Sequence, residues 1–245
     1  MMNITIWSDF ACPYCYIGET RLEKAIEELG MTDDVKIDYR AFELDPTASK
    51  EVTGPTNERF AMKYRLSVPQ AEEQIEQISS LGREEGIDFR YATTLYSNTF
   101  DAHRLMKLAE AKYDYATVKR LNTLLFDAYF TKNLALADHK VLEAVAKEAG
   151  MDENEVREVL AGDQYSDDVR FDEREASMRG VRGVPYMVFN GEFAVPGAMT
   201  VDGMKSALQR AQRKIEEAEK TTKDAATDKG EERPHVCGPD GCQLI

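Results

Sequence analysis

The chain has 245 residues, of which 42% are hydrophobic and 9% aromatic, so it can supply the core of one large domain or of one domain with an insertion. Its formal net charge is −14 and its sequence pI is about 4.8, so the chain repels phosphate backbones and anionic lipids. Roles on nucleic acid and on membrane surfaces are therefore disfavoured.

The opening MMNITIWSDF lacks the basic and long apolar regions of a secretory signal. No apolar run approaches the roughly 18 residues of a membrane-spanning helix. We therefore expect a cytoplasmic protein. Structural disulfides are rare in reducing cytosol, so the four cysteines indicate metal binding or redox chemistry.

The chain opens with a β–α–β pattern. The stretch NITIWS (3–8) is β-branched and aromatic, which is typical of a buried strand. A helical pattern follows Cys12 and ends before Gly30, and VKIDYRAF (35–42) then alternates apolar and polar residues as a second strand. One face of the helix carries the apolar residues Leu22, Ala25, Ile26 and Leu29.

A helical region separates this opening from the next strands. Residues 44–57 are rich in turn formers. Between residues 56 and 180, successive segments place apolar residues three and four positions apart, as amphipathic helices do. Gly150 and Gly162 are natural helix ends in this stretch. The sequence therefore predicts an all-helical insertion over residues 56–180.

Strand signals return in YMVFN, and the Asn190-Gly191 pair before EFAV is the strongest short signal for a hairpin. An amphipathic helix follows, so the chain closes β–β–α. Towards the C-terminus the sequence becomes charged and almost free of apolar residues. We expect residues 217–245 to form a flexible tail that carries a Cys-x4-Cys pair.

The CPYC motif lies at the first strand-to-helix junction. Only a thiolate attacks a disulfide efficiently, and the unpaired N–H groups and dipole of a helix N-terminus stabilise that anion. Pro13 fits this position because its missing N–H would be unpaired anyway. We expect Cys12 to attack a substrate disulfide and the more buried Cys15 to resolve the mixed disulfide. In the reverse direction, the oxidised pair donates its disulfide to a substrate.

Zinc binding is the alternative role for these thiols. Cys-x-x-Cys is half of a common tetrahedral zinc site, and Cys237 and Cys242 can supply the other half. Against zinc, CPYC follows a strand and opens a helix, and the second pair has four intervening residues. Because Cys-x-x-Cys near a βαβ pattern is typical of a thioredoxin-like redox motif, we predict no metal and no organic cofactor.

The combination of motifs resembles a known family. CPYC in the β–α–β half, the helical insertion and RGVRGVPYMVFN in the closing half resemble the DsbA family of the thioredoxin superfamily. More narrowly, SDFACPYCYIG, SNTFDAHRL and GVRGVPYMVFNG are similar to FrnE-like oxidoreductases. The resemblance covers residues 3–214 and implies an α/β thioredoxin fold formed by residues 1–45 and 181–216. It also implies thiol–disulfide oxidoreductase or disulfide isomerase activity.

The resemblance implies a cis-proline loop that faces the redox pair, here Val184 and Pro185. A cis bond would turn the backbone so that Val184 offers its N–H and C=O groups to an extended substrate. A trans proline that simply opens a strand is the alternative, since only about 5–6% of X-Pro bonds are cis. Pro185 is favoured because it directly precedes the first strand of the closing half.

Four further residues are candidate substrate contacts. Pro13 and Tyr14 lie between the cysteines, where they can tune the acidity of Cys12, or in the case of Tyr14 simply help to dock substrate. Asn98 and His103 lie in SNTFDAHRL, which resembles a segment near the cleft of FrnE-like proteins and of glutathione-dependent isomerases and transferases. The alternatives are a helix cap for Asn98 and a hydrogen-bonded packing role for His103.

The C-terminal pair, Cys237 and Cys242, brackets the turn sequence GPDG. FrnE-like proteins resemble this chain in carrying such a pair. A linker of roughly 15 residues has a reach of about 20 Å, so the tail can pass a disulfide to or from CPYC as an accessory redox pair. A metal-binding tail that includes His235, or an idle dithiol, is the alternative.

The leading prediction is a cytoplasmic reductase or isomerase of disulfide-containing or thiol proteins. Glutathione or a thioredoxin system is the candidate reductant, and no nucleic-acid or membrane partner is expected. A glutathione-linked isomerase or transferase is the enzymatic alternative, although those enzymes typically carry serine where this chain has Cys12. Two alternatives from other classes are a zinc-binding protein and a redox-regulated module that holds clients on its helical insertion.

Overall fold

The computed structural model describes residues 1–228, 237–238 and 241–242. Its main sheet has the strand order β2–β1–β3–β4, in which β1 is parallel to β2 and antiparallel to β3, and β3 is antiparallel to β4. The strands are β1 (Met2–Ser8), β2 (Val35–Ala41), β3 (Tyr186–Phe189) and β4 (Phe193–Pro196). This arrangement confirms the predicted βαβ…ββα thioredoxin fold.

Helices flank the sheet and fill the insertion between β2 and β3. No helix in the described part of the chain is both long and apolar enough to cross a membrane. A 3₁₀ turn at Tyr91–Thr93 precedes the fourth α-helix. The α-helices are α1 (Pro13–Glu28), α2 (Thr56–Tyr64), α3 (Val68–Glu84), α4 (Phe100–Lys112), α5 (Tyr115–Phe130), α6 (His139–Ala149), α7 (Glu153–Ala161), α8 (Ser166–Met178) and α9 (Val201–Asp228).

The strands alternate between two buried faces, because successive side chains of a strand point to opposite sides of a sheet. Ile6 of β1 and its partner Met187 of β3 belong to the large core that also contains the buried residues of α1 and α9. Trp7 points the other way and packs with Val188 and Ala176 of α8 in a smaller cluster. Helices therefore cover both faces, and the C-terminal end of β1 delivers the chain to the start of α1.

Helix α1 forms as the sequence predicts. Pro13 occupies its first turn, where a missing N–H costs nothing, and Gly30 follows the C-cap residue with a φ of +66°. Side chains at helical spacing bury one stripe of the helix against the sheet: Cys15, Glu19, Leu22 and Ile26.

Helices α2 and α3 form the part of the insertion that faces α1. Ser67 starts α3 with a capping box, in which its hydroxyl accepts from the Gln70 N–H and the Gln70 side chain accepts from the Ser67 N–H. Near the end of α3, a Cβ atom on Gly82 would lie only 2.5 Å from the ring of Phe89. Glycine at position 82 therefore allows the buried ring to pack directly on the helix backbone.

The closing half contains one confirmed prediction and one difference. Asn190 and Gly191 both have positive φ values and form the predicted hairpin turn between β3 and β4. Helix α9, however, continues to Asp228, well into the segment 217–245 that composition predicted to be flexible. Residues 217–228 contain no glycine or proline and include several good helix formers, so they can extend a helix whose earlier turns are packed on the core.

The tail is described only at two short strands. Cys237–Gly238 (β5) pairs antiparallel with Gly241–Cys242 (β6), which places Cys237 opposite Cys242 in the backbone register. Residues 229–236, which contain the second part of the predicted linker, lie outside the described residues.

Candidate active site

The two cysteines of CPYC lie where the chain passes from β1 into α1. Cys12 is the N-cap residue of α1 and is 4% exposed, whereas Cys15 is fully buried in the next turn. Both are free thiols. The Sγ atom of Cys12 lies 3.5 Å from the backbone carbonyl oxygen of Val184. The structure therefore brings the predicted redox pair together with the predicted loop.

The peptide bond between Val184 and Pro185 is cis, as the sequence predicts. Helix α1 approaches this loop closely, since a Cβ atom on Gly18 would lie 3.2 Å from Cγ of Pro185 and 3.3 Å from the Cα atom of Ala198. The carbonyl oxygen of Pro185 accepts a hydrogen bond of 2.8 Å from the Gly197 N–H. The loop is thus held between α1 and the end of β4, next to the sulfur of Cys12.

The surroundings of Cys15 differ from those of an exposed thiol. Burial raises the pKa of Cys15 well above its usual value, and a hydrogen bond with Cys12 and the charges of Cys12 and Glu19 act in the same direction. A hydrogen bond with Ser8 acts in the opposite direction. Cys15 is therefore held as a thiol beneath Cys12, and its deprotonation requires a group that takes the proton.

A buried carboxylic acid lies one helical turn beyond Cys15. Glu19 accepts hydrogen bonds from the Ser8 hydroxyl at 2.6 Å and from the Asn122 side-chain amide at 2.6 Å. Burial raises the pKa of Glu19 to about 7, although both hydrogen bonds act to lower it. Ser8 also acts to lower the pKa of Cys15, so its hydroxyl lies near both the resolving thiol and this carboxyl.

Cys12 opens into a groove of about 320 Å³ between CPYC, the Val184 loop and the first helices of the insertion. Pro13 and Tyr14 line the groove, as the sequence predicts for residues that meet substrate. Burial, followed by the charge of Cys12, raises the pKa of Tyr14, which is 42% exposed. The same two causes raise the pKa of Tyr64. The other aromatic residues in the wall are Phe60, Tyr91 and Tyr96.

Asn98 and His103 lie beneath the site, and neither is among the described residues that line the groove. The Asn98 side chain accepts from the Phe100 N–H at the start of α4 and donates to Glu43. His103 is 3% exposed and packs on Phe10 with ring centroids 4.9 Å apart, while its Nε2 has no hydrogen-bond partner. Asn98 thus bonds the first turn of α4 from the position before the N-cap residue Thr99, and His103 packs without a hydrogen bond at Nε2. A role of either residue in substrate binding stays a prediction.

The accessory role of Cys237 and Cys242 also stays a prediction, because their side chains lie outside what the structure describes. In the described part of the chain, no group of three or more His, Cys, Asp or Glu side chains is placed to hold a metal ion.

Sequence analysis missed two sets of site residues. A carboxylate in the buried stripe of α1 was a signal for Glu19, since charged side chains are seldom fully buried without a reason. The groove residues Arg59 and Lys63 had no such signal, because cations four positions apart on a short helix are ordinary surface residues.

The sequence and the fold of this chain are similar to those of known proteins. The sequence profile of a family described as "DSBA-like thioredoxin domain" matches residues 3–209. A crystal structure of a probable DsbA oxidoreductase from Streptomyces coelicolor is similar over 100% of both chains, with 33% identity and a TM-score of 0.81.

Two more distant relatives share most of the chain. The uncharacterised protein YwbO of Bacillus subtilis (strain 168) is 23% identical over 218 residues, which is 87% of this chain and 98% of that protein. A structure of 2-hydroxychromene-2-carboxylate isomerase has 19% identity and a TM-score of 0.67, and the match covers 88% of this chain and 98% of the isomerase. The likeness to the isomerase extends to the fold alone.

Proposed function

The chain belongs to the DSBA-like thioredoxin domain family, and from this premise we propose that it is a thiol–disulfide oxidoreductase acting on protein or peptide disulfides through Cys12 and Cys15. One observation carries the proposal. A cysteine at a helix N-terminus opens into a substrate-sized groove, with a second, fully buried cysteine directly behind it and a backbone carbonyl 3.5 Å away. The site thus brings together a nucleophile, a resolving thiol and a backbone carbonyl that can pair with an extended peptide.

The exchange proceeds in two steps. The Cys12 thiolate attacks one sulfur of a substrate disulfide, and the other substrate sulfur leaves as a thiolate that takes a proton from water. Cys15 then loses its proton and attacks Cys12, which releases the first substrate sulfur as a thiolate. Two electrons pass from the protein dithiol to the substrate, and an external thiol must reduce the resulting Cys12–Cys15 disulfide. The reverse sequence oxidises a substrate dithiol.

The proton of Cys15 passes through Ser8 to Glu19 in this proposal. The Ser8 hydroxyl donates to Glu19 at 2.6 Å and lies close enough to Cys15 to lower the pKa of that thiol, so it is placed between the proton donor and the acceptor. A proton acceptor works best when its pKa lies near the working pH, and the pKa of Glu19 is raised to about 7.

Further features of the proposal follow from sequence motifs. We place the protein in the FrnE-like subgroup and in the cytoplasm, where a reductase or isomerase role fits better than net oxidation. Glutathione or a thioredoxin system is the proposed source of electrons. Cys237 and Cys242 are the proposed accessory pair, for which the facing backbone register of β5 and β6 is compatible with a small ring.

The proposal is tested by turnover of a disulfide-linked fluorescent peptide with excess glutathione. We expect the wild-type chain to accelerate reduction, and Cys12→Ser to lose roughly 10³-fold or more of kcat/KM because no other groove residue supplies the nucleophile. The Cys237→Ser/Cys242→Ser variant, which keeps CPYC, shows how much of the turnover depends on the proposed accessory pair. Equal turnover by wild type and Cys12→Ser would overturn the proposal.

A further inference from the structure

The groove in front of Cys12 differs in charge from the rest of the molecule. The chain has 45 acidic and 31 basic residues, yet the described groove lining contains two cations, Arg59 and Lys63, and no aspartate or glutamate. Both cations lie on α2, four residues apart and therefore on one face of the helix. The wall that faces the nucleophile is thus positive within an acidic protein.

Arg59 is held in place without an anionic partner. Its guanidinium carbon lies 3.3 Å from the centroid of the Tyr96 ring, a stacking contact that fixes the planar group. Its Nη1 atom is buried and has no hydrogen-bond partner, which is uncommon for a buried donor. No carboxylate of the described chain lies within 4.0 Å of it, although many other arginines form such pairs.

Lys63 adds a second charge one turn further along. It forms no ion pair with any carboxylate that the structure describes, although its charge is one of the causes that lower the pKa of Asp45. Asp45 is itself bonded to Thr47 and Tyr96. Neither groove cation therefore forms an ion pair within the described chain.

We propose that α2 forms an anion subsite through Arg59 and Lys63, and that the preferred substrates are polypeptides whose disulfide cysteine is flanked by glutamate or aspartate. This inference rests on the proposed function and adds a substrate class to it. The planar guanidinium of Arg59 can donate two parallel hydrogen bonds to a carboxylate, and the ammonium of Lys63 adds a second positive charge. Because the acidic remainder of the surface repels such substrates, the groove is where they are attracted.

The test uses two synthetic disulfide peptides that differ only in whether glutamate or lysine flanks the cystine. With the full wild-type chain we expect kcat/KM to favour the glutamate peptide roughly tenfold, mainly through KM, because charge-assisted hydrogen bonds to a partly buried cation are strong. Arg59→Gln and Lys63→Gln should each remove about half of this preference on a logarithmic scale. Raising the salt concentration should weaken it, since the groove is open to solvent.

A matched charge change separates a local subsite from a general effect. Arg213 lies on α9, is exposed and does not line the groove, so Arg213→Gln should leave the preference unchanged. Arg59→Lys keeps the positive charge but loses the paired N–H donors of the guanidinium, so it should retain part of the preference for the glutamate peptide. Lys63 is exposed, so Lys63→Gln tests the subsite even where a change at Arg59 disturbs folding.

The outcomes distinguish this inference from the proposed function. Equal kcat/KM for both peptides, at rates well above the uncatalysed reaction, would overturn the subsite and leave the oxidoreductase intact. The same would follow from a preference that Arg213→Gln reduces as much as Lys63→Gln does. Failure to reduce either peptide would instead overturn the proposed function.

Discussion

The groove joins two regions that contribute different kinds of residues. The sheet and α1 supply sulfur and proton chemistry, namely Cys12, Cys15, Ser8 and Glu19. The helical insertion supplies aromatic and cationic walls and adds no thiol or carboxylate to the described groove lining. The proposed reaction and the proposed recognition of substrate thus depend on different parts of the chain, so a change on one side of the groove should leave the other side's property largely intact.

Burial separates the two regions as well. Beneath Cys12, titratable groups are fully enclosed, and burial is the main cause of the raised pKa values of Cys15 and Glu19. Across the groove, Lys63 and Tyr64 of α2 are exposed to solvent. The shifted pKa of an enclosed group makes the stability of the fold depend on pH, whereas the interactions of an exposed charge are screened by water and salt.

The largest expected effect concerns Glu19. Its pKa is about 7 in the fold and 4.5 ordinarily, so between these values the native state holds a proton that the unfolded chain has lost. Stability must then fall as pH rises through this window, by up to about 3 kcal/mol above pH 7. We expect Glu19→Gln to remove this part of the pH dependence, measured by urea unfolding between about pH 4.5 and 8.

The matched control for Glu19 is Glu27→Gln, which changes an exposed carboxyl of the same helix and should keep the wild-type slope. Glu19→Gln should also slow resolution of the Cys12 mixed disulfide by about 10²-fold, as loss of a general base does. A wild-type slope in Glu19→Gln would contradict the burial argument, and unchanged resolution would remove Glu19 from the proton path.

A smaller effect is expected from packing in the insertion. Gly82→Ala would place a methyl group 2.5 Å from Phe89, a buried ring stacked on Phe130, so we expect a loss of about 2 kcal/mol of unfolding free energy. Gly203→Ala on α9 meets the flexible end of Met199 at 2.8 Å, and the next atoms, Met199 Cβ and the Thr200 hydroxyl, lie at 3.3 and 3.4 Å. It should be neutral or stabilising by up to about 1 kcal/mol, through helix propensity. Equal losses in both variants would contradict this account of close packing at Gly82.

The smallest expected effect is at the groove rim. Tyr64→Phe removes a hydroxyl near Cys12 from the insertion side, and we expect kcat/KM for peptide disulfides to fall by about threefold or less, in line with one solvent-exposed hydrogen bond. The rate of resolution, which depends on the α1 side, should not change. A drop comparable to that of Cys12→Ser would show that the insertion takes part in the chemistry.

Local sequence signals predicted the chemical side of the groove well. CPYC after a strand and before an amphipathic helix placed both cysteines, and Asn190-Gly191 placed the hairpin that follows Val184 and Pro185. These features are set by short-range physics, such as helix starts and turn residues with positive φ. The extent of α9 was missed because low hydrophobicity was taken as flexibility, although alanine, glutamate and lysine can extend a helix whose earlier turns are packed on the core.

The recognition side could not be derived in the same way. Arg59 and Lys63 become groove residues only because the fold places α2 across the groove from the start of α1, some 45 residues earlier in the sequence. Asn98 and His103 lie in a motif that resembles a cleft segment, yet they fall beneath the groove once α4 packs on the loop around Phe10. Tertiary packing decides which polar residues reach the substrate.

The most direct test of the central claim is to trap the intermediate. Cys15→Ser, in the Cys237→Ser/Cys242→Ser background, is mixed with a disulfide peptide, and the adduct is located by mass spectrometry of proteolytic fragments. The account predicts a stable mixed disulfide on Cys12, which disappears as the Cys12–Cys15 disulfide forms when Cys15 is restored. No adduct at Cys12, or an adduct that resolves equally fast without Cys15, would contradict the assignment of nucleophile and resolving thiol.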